Sequence, residues 1–411
     1  MQMNNILSWD DLEKIKSEEI DRCNGITNSY ANLRLFNNKE ENVEIIFYRD
    51  RHAWCPYCQK IWLWLELKKI PYKIRKVNMY CYGEKEDWYL RKVGSGKLPA
   101  VELHGEIITE SDNIISFLES KYGNLGSSIF SSHLKNPKIV ERKIFRAWCD
   151  WLCRENIIFF ENTHRRKYMH LCLKELEDIL EESKTGFIDP IIEHSGITNP
   201  GTGDIIFIPY LERINASLCY YKGFNLREEF PLLNNWLSLL EKKNTYLGTQ
   251  GDFHTHSHDL PPQMGGCFKE KNNQQIYFSN SIDTGKGLGN LEINKFNDFS
   301  LNSRIALMRV LKHKNNIINA NPCDKDSFDY ALRSSLTYMI TGEVNKVDIE
   351  SGIGLRYMRD RISVPRDMTI LQARILRQSL EKIASLTRES DSHKIPTKHR
   401  FDQNPDKFQK T

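Results

Sequence analysis

The sequence predicts a small mixed α/β domain, then an all-helical bundle, then a mostly helical extension. Three observations predict it. Between residues 43 and 123, strand-like and helix-like runs alternate; from about 137 to 251, four apolar stripes recur at helical spacing; beyond 252, polar loop-like stretches separate three further helical patterns. The chain divides accordingly into a helical lead-in at 1–42, an α/β domain at 43–123, a helical domain at 134–251, and a linker plus helical extension at 252–411. No internal repeat is present.

The elements follow in order. Residues 1–42 open with a short charged helical segment. Val43–Tyr48 reads as a strand and Ile61–Leu67 as a helix, with Cys55-Pro56-Tyr57-Cys58 at the junction. Proline is tolerated in a first helical turn, where its missing N–H would have been unpaired. Tyr72–Val77 is a second strand, and a helical run surrounds Asp87-Trp88-Tyr89-Leu90. Ala100–Leu103 and Glu106–Thr109, joined at His104-Gly105, have the pattern of a hairpin. A helix with Ile114, Ile115, Leu118 and Tyr122 on one face closes the domain, and Gly123 stands just past its end.

The four bundle stripes are Ile144/Phe145/Trp148/Trp151/Leu152, Leu171/Leu173/Leu176/Ile179, Ile205/Ile206/Ile208/Leu211/Ile214 and Leu232/Leu233/Trp236/Leu239/Leu240. Pro209 falls inside the third, so that helix kinks there or starts later. Beyond the bundle, 271–275 and 285–290 read as loops, Asn302–Leu311, Ser327–Ile340 and Thr369–Leu386 as helices, and the tail from Ile395 lacks an apolar stripe.

Composition narrows the function. Of 411 residues, 40% are hydrophobic and 27% charged, and the net charge is +4, ordinary for a globular chain. No Lys/Arg run with interleaved aromatics argues for nucleic acid, and no apolar stretch argues for a membrane. Asp10, Asp11, Glu13, Glu18 and Glu19 make the N-terminus too acidic for a leader, so a cytoplasmic location is expected. The 10 cysteines are then mostly free thiols.

Chemistry concentrates at Cys55 and Cys58. A sulfur at a helix start faces unpaired N–H groups and their partial positive charge, so Cys55 is expected to ionise readily and act as a nucleophile. Cys58, one turn further in, should be more buried and less acidic. No second C-x-x-C supplies the other ligands of a zinc site, so the pair reads as redox and no metal is expected. Arg49, Arg51 and His52 add positive potential upstream or simply form a solvated loop. Leu98-Pro99 is a candidate cis bond or an ordinary trans turn. In Glu110-Ser111-Asp112, Ser111 is placed to cap the following helix.

Cys55-Pro56-Tyr57-Cys58, Leu98-Pro99 and Glu110-Ser111, in this order, resemble the glutathione-binding half of the glutathione S-transferase superfamily over residues 43–123. Residues 137–251 resemble its second domain. Glu-Lys-Glu-Asp-Trp-Tyr-Leu at 84–90 is most similar to the cysteine-using, omega-like and dehydroascorbate-reductase-like branch. The resemblance implies a thioredoxin-like first domain, glutathione as cosubstrate, and a Cys55–glutathione mixed disulfide. It also implies a glutathione site at Pro56, Tyr57, Leu98 (by its backbone), cis Pro99, Glu110 and Ser111 (the γ-glutamyl end) and Lys85 (the glycine carboxylate), in a chain able to form a homodimer.

Two departures stand out. A cysteine replaces the hydroxyl of conjugating transferases, and Gly201 stands where the second domain's helix start, ending in Asp204, usually has Ser or Thr; Thr202 could cap instead. The extension resembles that of longer transferase-like proteins of photosynthetic lineages. Three readings follow: a glutathione-dependent thiol transferase or reductase, a conjugating transferase using Tyr48 or Tyr57, and a scaffold whose extension binds a partner.

Other groupings are weaker. His254, His256 and His258 would share one face of a strand, as a metal site uses, but read better as linker. Thr284–Gly289 lacks phosphate-loop spacing. Cys149 and Cys153 face the bundle core. Arg356, Arg359, Arg361 and Arg366 form a solvated basic face or pair with acidic transferase surface. Trp148, Trp151 and Tyr210 line a substrate pocket or belong to the core.

Overall fold

The computed structural model describes residues 6–15, 20–155, 160–288, 299–344 and 351–387. After helix α1 (Trp9–Ile15), a five-stranded sheet forms from β1 (Leu33–Arg34), β2 (Ile45–Asp50), β3 (Tyr72–Val77), β4 (Ala100–Leu103) and β5 (Glu106–Thr109), in the order β1-β3-β2-β4-β5. Only the β2–β3 pair is parallel, because α2 (Pro56–Lys68) carries the chain back between them. His104 and Gly105, with φ of 51° and 84°, make the tight turn of the β4–β5 hairpin. α3 (Asp87–Lys92) and α4 (Ser111–Tyr122) complete this thioredoxin-like domain. β2 runs two residues further than its apolar pattern suggests, so Arg49 and Asp50 lie in the strand and both are buried.

α2 is buried on nearly every side because it packs against both α4 and the helical domain. Its buried Glu66 takes two hydrogen bonds from Arg34, at 2.8 and 2.9 Å, and one each from Thr27 (2.6 Å) and Tyr72 (2.7 Å). That network ties the helix to the sheet's first edge.

The helical domain contains α5 (Lys135–Cys153), α6 (Glu161–Glu181), a small hairpin of β6 (Pro190–Ile192) and β7 (Thr198–Pro200), then α7 (Thr202–Ile205), α8 (Ile208–Lys222), α9 (Leu226–Glu229), α10 (Pro231–Leu240) and α11 (Asn244–Leu247). Pro209 sits in the first turn of α8, so the third stripe is two helices and the second starts late. Leu171, assigned to the apolar stripe of α6, is 63% exposed; Met169, Cys172, Leu173 and Leu176 form the buried face instead.

At the start of α7, the Asp204 carboxylate accepts hydrogen bonds from the backbone of Ile188 (2.8 Å), Asp189 (3.0 Å) and Gly201 (3.2 Å) and from the Trp236 indole (2.8 Å). A Cβ on Gly201 would stand 2.3 Å from the Asp189 carbonyl oxygen, which explains why no Ser or Thr occupies the position. Thr202 does not cap; its hydroxyl donates to the Leu125 carbonyl.

Residues 252–276, read from sequence as linker, pack with this domain. α12 (Phe253–Met264) lies along α8, and α13 (Asn273–Asp283) begins where a loop was expected. The described residues divide into two units, Asp21–Ile276 and a second built from Met1–Ile20 with Tyr277–Asp402. In the second, α1 joins α14 (Phe299–Ala320), α15 (Lys325–Thr341), α16 (Gly352–Arg361) and α17 (Ile370–Ala384) around Leu12, Leu307, Phe328, Leu336, Leu355 and Leu376. The first part of the lead-in, α1, therefore belongs with the extension, whereas the part from Asp21 onward, with β1, belongs with the sheet. The boundary differs from the sequence reading because Trp9 and Leu12 fill that core, and the Trp9 indole donates to Asp329 at 2.7 Å.

The basic cluster is no solvated face. Arg359 is buried against Asp360 and Glu381, Arg356 also meets Glu381, and Arg366 pairs with Asp367. Gly289, Asn290 and the tail from Ile395 lie outside the described residues. No described helix is long and apolar enough to cross a membrane.

Candidate active site

Cys55 occupies the N-cap of α2, 7% exposed, with Pro56 in the first turn behind it. Its side chain makes no hydrogen bond to the helix-start N–H groups. It meets the Cys58 thiol instead. Burial, then the hydrogen bond to Cys55, hold Cys58 protonated far above the ordinary thiol range. Cys58 is 1% exposed, so the two sulfurs are chemically unequal.

The turn leading into Cys55 is built from buried polar contacts. The Asp50 carboxylate accepts the Trp54 backbone N–H at 2.6 Å. His52 stacks on Trp54 with ring centroids 4.6 Å apart and also meets Tyr82. From α8, Arg213 donates to the Trp54 carbonyl at 2.7 Å and to Gln59 at 2.8 Å, while Gln59 donates to Glu212 at 3.1 Å. The helical domain thus holds both sides of the Cys55 position.

The upstream cations do not form a solvated loop. Arg49 is buried, donates to the Ser29 and Asp50 carbonyls at 2.8 Å and lies over Trp62. Arg51 pairs with Glu86 at 2.9 Å. The Arg51 charge is matched by Glu86, while Arg49 is held by neutral groups.

Leu98–Pro99 is cis. The Leu98 backbone makes no hydrogen bond among the described residues. Glu110 precedes α4 with φ 64°, a conformation that turns the chain sharply into the helix; its side chain is exposed and pairs with Lys97 at 3.2 Å. Ser111 is not the cap. It is the first residue inside α4, and Lys60 donates to its hydroxyl at 3.4 Å. Lys60 also pairs with Asp112 at 2.9 Å, and Lys138 meets the other Asp112 oxygen at 2.8 Å. Burial opposes ionisation of Asp112, but the two lysines outweigh it and pull its carboxyl down to about 2.

Lys85 is buried, donates to the Asn78 carbonyl at 3.0 Å and lies over the Tyr80 and Tyr89 rings. Burial lowers its pKa, an effect that nearby acidic groups, Glu86 and Asp50 among them, oppose. Tyr57 is 37% exposed beside Cys55 and meets the Tyr210 ring edge-on. Trp148 and Trp151 are core residues, with indoles bonded to Ser217 and Asn162.

Asp50, Cys55 and Cys58 bring three donor atoms within 4.8 Å of one another. A metal would require both thiolates, and the burial that keeps Cys58 protonated works against that. The three histidines do not share a face, because they lie on a helix. His254 and His258 meet with ring centroids 4.7 Å apart, while His256 bonds to Glu212 at 2.7 Å.

Sequence reasoning missed Gln59, Lys60, Asp112, Lys138, Glu212 and Arg213. Asp112 directly follows Ser111, and Gln59 and Lys60 directly follow Cys58, so these were the detectable ones. Lys138 and Arg213 come from distant helices and carry no local signal.

Residues 54–121 match the family model of the glutathione S-transferase N-terminal domain. The chain is 29% identical over 199 residues to "Glutathione S-transferase DHAR2" of Arabidopsis thaliana, covering 48% of this chain and 84% of that one. It is 27% identical over 228 residues to "Glutathione S-transferase L3" of Arabidopsis thaliana, covering 53% and 84%. A solved dehydroascorbate reductase of Chlamydomonas reinhardtii superposes with a TM-score of 0.41 at 22% identity, over 50% of this chain and 91% of that one. The chain belongs to the glutathione S-transferase superfamily, among its omega-like and dehydroascorbate-reductase-like members.

Proposed function

We propose that this protein is a glutathione-dependent thiol transferase or reductase working through a Cys55–glutathione mixed disulfide. One observation carries the reading: the more exposed cysteine heads α2, whose Lys60 bonds to Ser111 at the start of α4, while cis Pro99 leads into β4, the strand paired with β2. An extended cysteinyl unit would pair with Leu98, and a γ-glutamyl carboxylate would meet the first-turn N–H groups behind Glu110 and Ser111. Relatives named as glutathione S-transferases support glutathione as the cosubstrate.

In the reaction, the Cys55 thiolate attacks one sulfur of a glutathione-containing disulfide. The S–S bond breaks, the departing thiolate takes up a proton, and Cys55 keeps one glutathione. A second glutathione thiolate then attacks the outer sulfur of that adduct and releases glutathione disulfide and Cys55. In the dithiol route, Cys58 gives up its proton and attacks Cys55 instead, expelling glutathione and leaving a Cys55–Cys58 disulfide. With a dehydroascorbate-like acceptor, two glutathione thiols supply the two electrons and two protons. The low exposure of Cys55 suits a small disulfide or electrophile better than a disulfide on a folded protein.

The conjugating alternative is weakened because the Tyr48 hydroxyl is committed to Glu102 at 2.5 Å and burial raises its pKa. The test is a mass measurement after exposure to glutathione disulfide. The expected result is one glutathione on Cys55, with disulfide-reductase activity falling to background in Cys55→Ser. Full activity in that variant would overturn the assignment.

A further inference from the structure

The helical domain brings a second pair of cysteines together, unconnected to the first. Cys153 is the last residue of α5, and Cys267 follows α12. Backbone hydrogen bonds fix their meeting. Phe268 N–H donates to the Leu152 carbonyl at 3.0 Å, and Glu270 N–H donates to the Tyr221 carbonyl at 2.9 Å. The segment after α12 is therefore laced to the C-terminal ends of α5 and α8, and the Phe268–Leu152 bond sets Cys267 beside Cys153.

Lys222, at the end of α8, closes the corner. Its side chain is fully enclosed and pairs with Glu270 at 3.3 Å. Both cysteines are half-buried, so a small reagent has access and water does not dominate.

We propose that Cys153 and Cys267 form a dithiol–disulfide redox site, oxidised by a small disulfide such as glutathione disulfide. Cys153 attacks first as the thiolate. One S–S bond of the reagent breaks, one glutathione leaves, and Cys153 carries the other. Cys267 then loses its proton and attacks the Cys153 sulfur, releasing the second glutathione. Two protein thiols give up two electrons and two protons, and one glutathione disulfide becomes two glutathione molecules.

The order of attack follows from the surroundings. The neighbouring Cys267 thiol stabilises the Cys153 thiolate and the Lys222 charge assists, so Cys153 is pulled below the ordinary thiol range despite its burial. It also outweighs the unfavourable carbonyl end of α5. Cys267, its counterpart, is pushed up. Cys149, one turn earlier on α5, is pushed up to about 12 by burial and is the internal control. The bond would tether the segment after α12 covalently to α5, so it would act on the packing of α12 rather than on Cys55.

The test uses the full chain and its Cys55→Ser variant. Each is treated with glutathione disulfide, alkylated without reduction, and cleaved at Asp150 so that Cys149 and Cys153 fall on separate peptides. A Cys153–Cys267 cross-link is expected in both proteins, because the pair needs nothing from Cys55. Cys267→Ser should stop at one glutathione on Cys153, formed about tenfold faster than any adduct on Cys149. The proposal is overturned if Cys153 and Cys267 are recovered separately alkylated, or if Cys153 reacts no faster than Cys149. Glutathione on Cys55 is scored on a different peptide, so failure here and failure of the Cys55 mechanism remain distinguishable.

Discussion

Asp112 shows how much a single side chain can organise at the start of α4. It was visible in the sequence only as the residue after Ser111, yet it holds Lys60 and Lys138 against the start of α4. Its folded pKa of about 2 lies below the ordinary value near 3.8. A depressed carboxylate stabilises the fold above its unfolded pKa, and that contribution fades as pH falls from about 4 to about 2. Asp112 is a third exposed, so solvent screening cuts the contribution to about 1–2 kcal/mol. Asp112→Asn should therefore lower the urea midpoint at neutral pH and converge with the parent in acid. An unchanged difference across that range would show that the lysines do not act through charge. At this scale, the helix start at Cys55-Pro56 and the Leu98-Pro99 bend were legible because they sit in short motifs with a local mechanical reason, whereas Ser111 was placed one residue off, since Glu110 occupies the cap. The contact of Arg213 with Gln59 was not legible, since it depends on the packing of α8 against α2.

Elements, in contrast, were legible wherever a helix or strand announced itself by period. The β4–β5 hairpin and α4 came through within a residue. α12 did not, because alternating histidines imitate a strand, and the helix signal lies in its cap: Asp252 accepts the Thr255 N–H at 2.8 Å. Its docking rests on His256, whose partners Glu212 and Asp259 raise its pKa against the opposing effects of burial and Arg213. A Cβ on Gly251 would stand 2.3 Å from the His256 ring, so that glycine is what allows the approach. A raised histidine stabilises fully below its unfolded value near 6.5 and loses that contribution as pH climbs through the folded value. The stability gap between the parent and His256→Gln should shrink from about pH 6 upward, read by thermal melts across pH. A gap constant with pH would mean that His256 acts as neutral packing. At α2, the tie to the sheet is the Glu66 network. Glu66→Ala leaves Arg34 buried without its partner and should cost about 3–5 kcal/mol in chemical denaturation. A loss under about 1 kcal/mol would show that the Arg22 and Gly25 carbonyls, to which Arg34 also donates, suffice to hold it.

The whole molecule is divided by its cores rather than by its sequence landmarks. Composition changes after residue 251, but the chain continues in the transferase-like unit through α12, because Tyr221 donates to the Ser257 carbonyl at 2.6 Å, Tyr82 donates to the Asp259 carbonyl, and His256 reaches Glu212. Glu212 is the same carboxylate that accepts from Gln59, next to Cys58. Removing α12 would leave Glu212 and the Tyr82 and Tyr221 hydroxyls without these partners, several buried polar groups at about 1–3 kcal/mol each. A chain of residues 21–250 should then unfold broadly or aggregate and lose glutathione uptake at Cys55. A chain of residues 21–276 keeps every one of these contacts and should melt cooperatively with Cys55 still reactive. Helix α1 behaves in the opposite sense. Trp9 and Leu12 have their partners among α14 and α15, so 1–276 should gain no stability over 21–276 and should expose Trp9, visible as red-shifted indole emission. If 21–250 proves as stable and reactive as 21–276, the boundary at 251 is the physical one, and α12 is an ornament on the bundle rather than the wall that supports the cysteine helix.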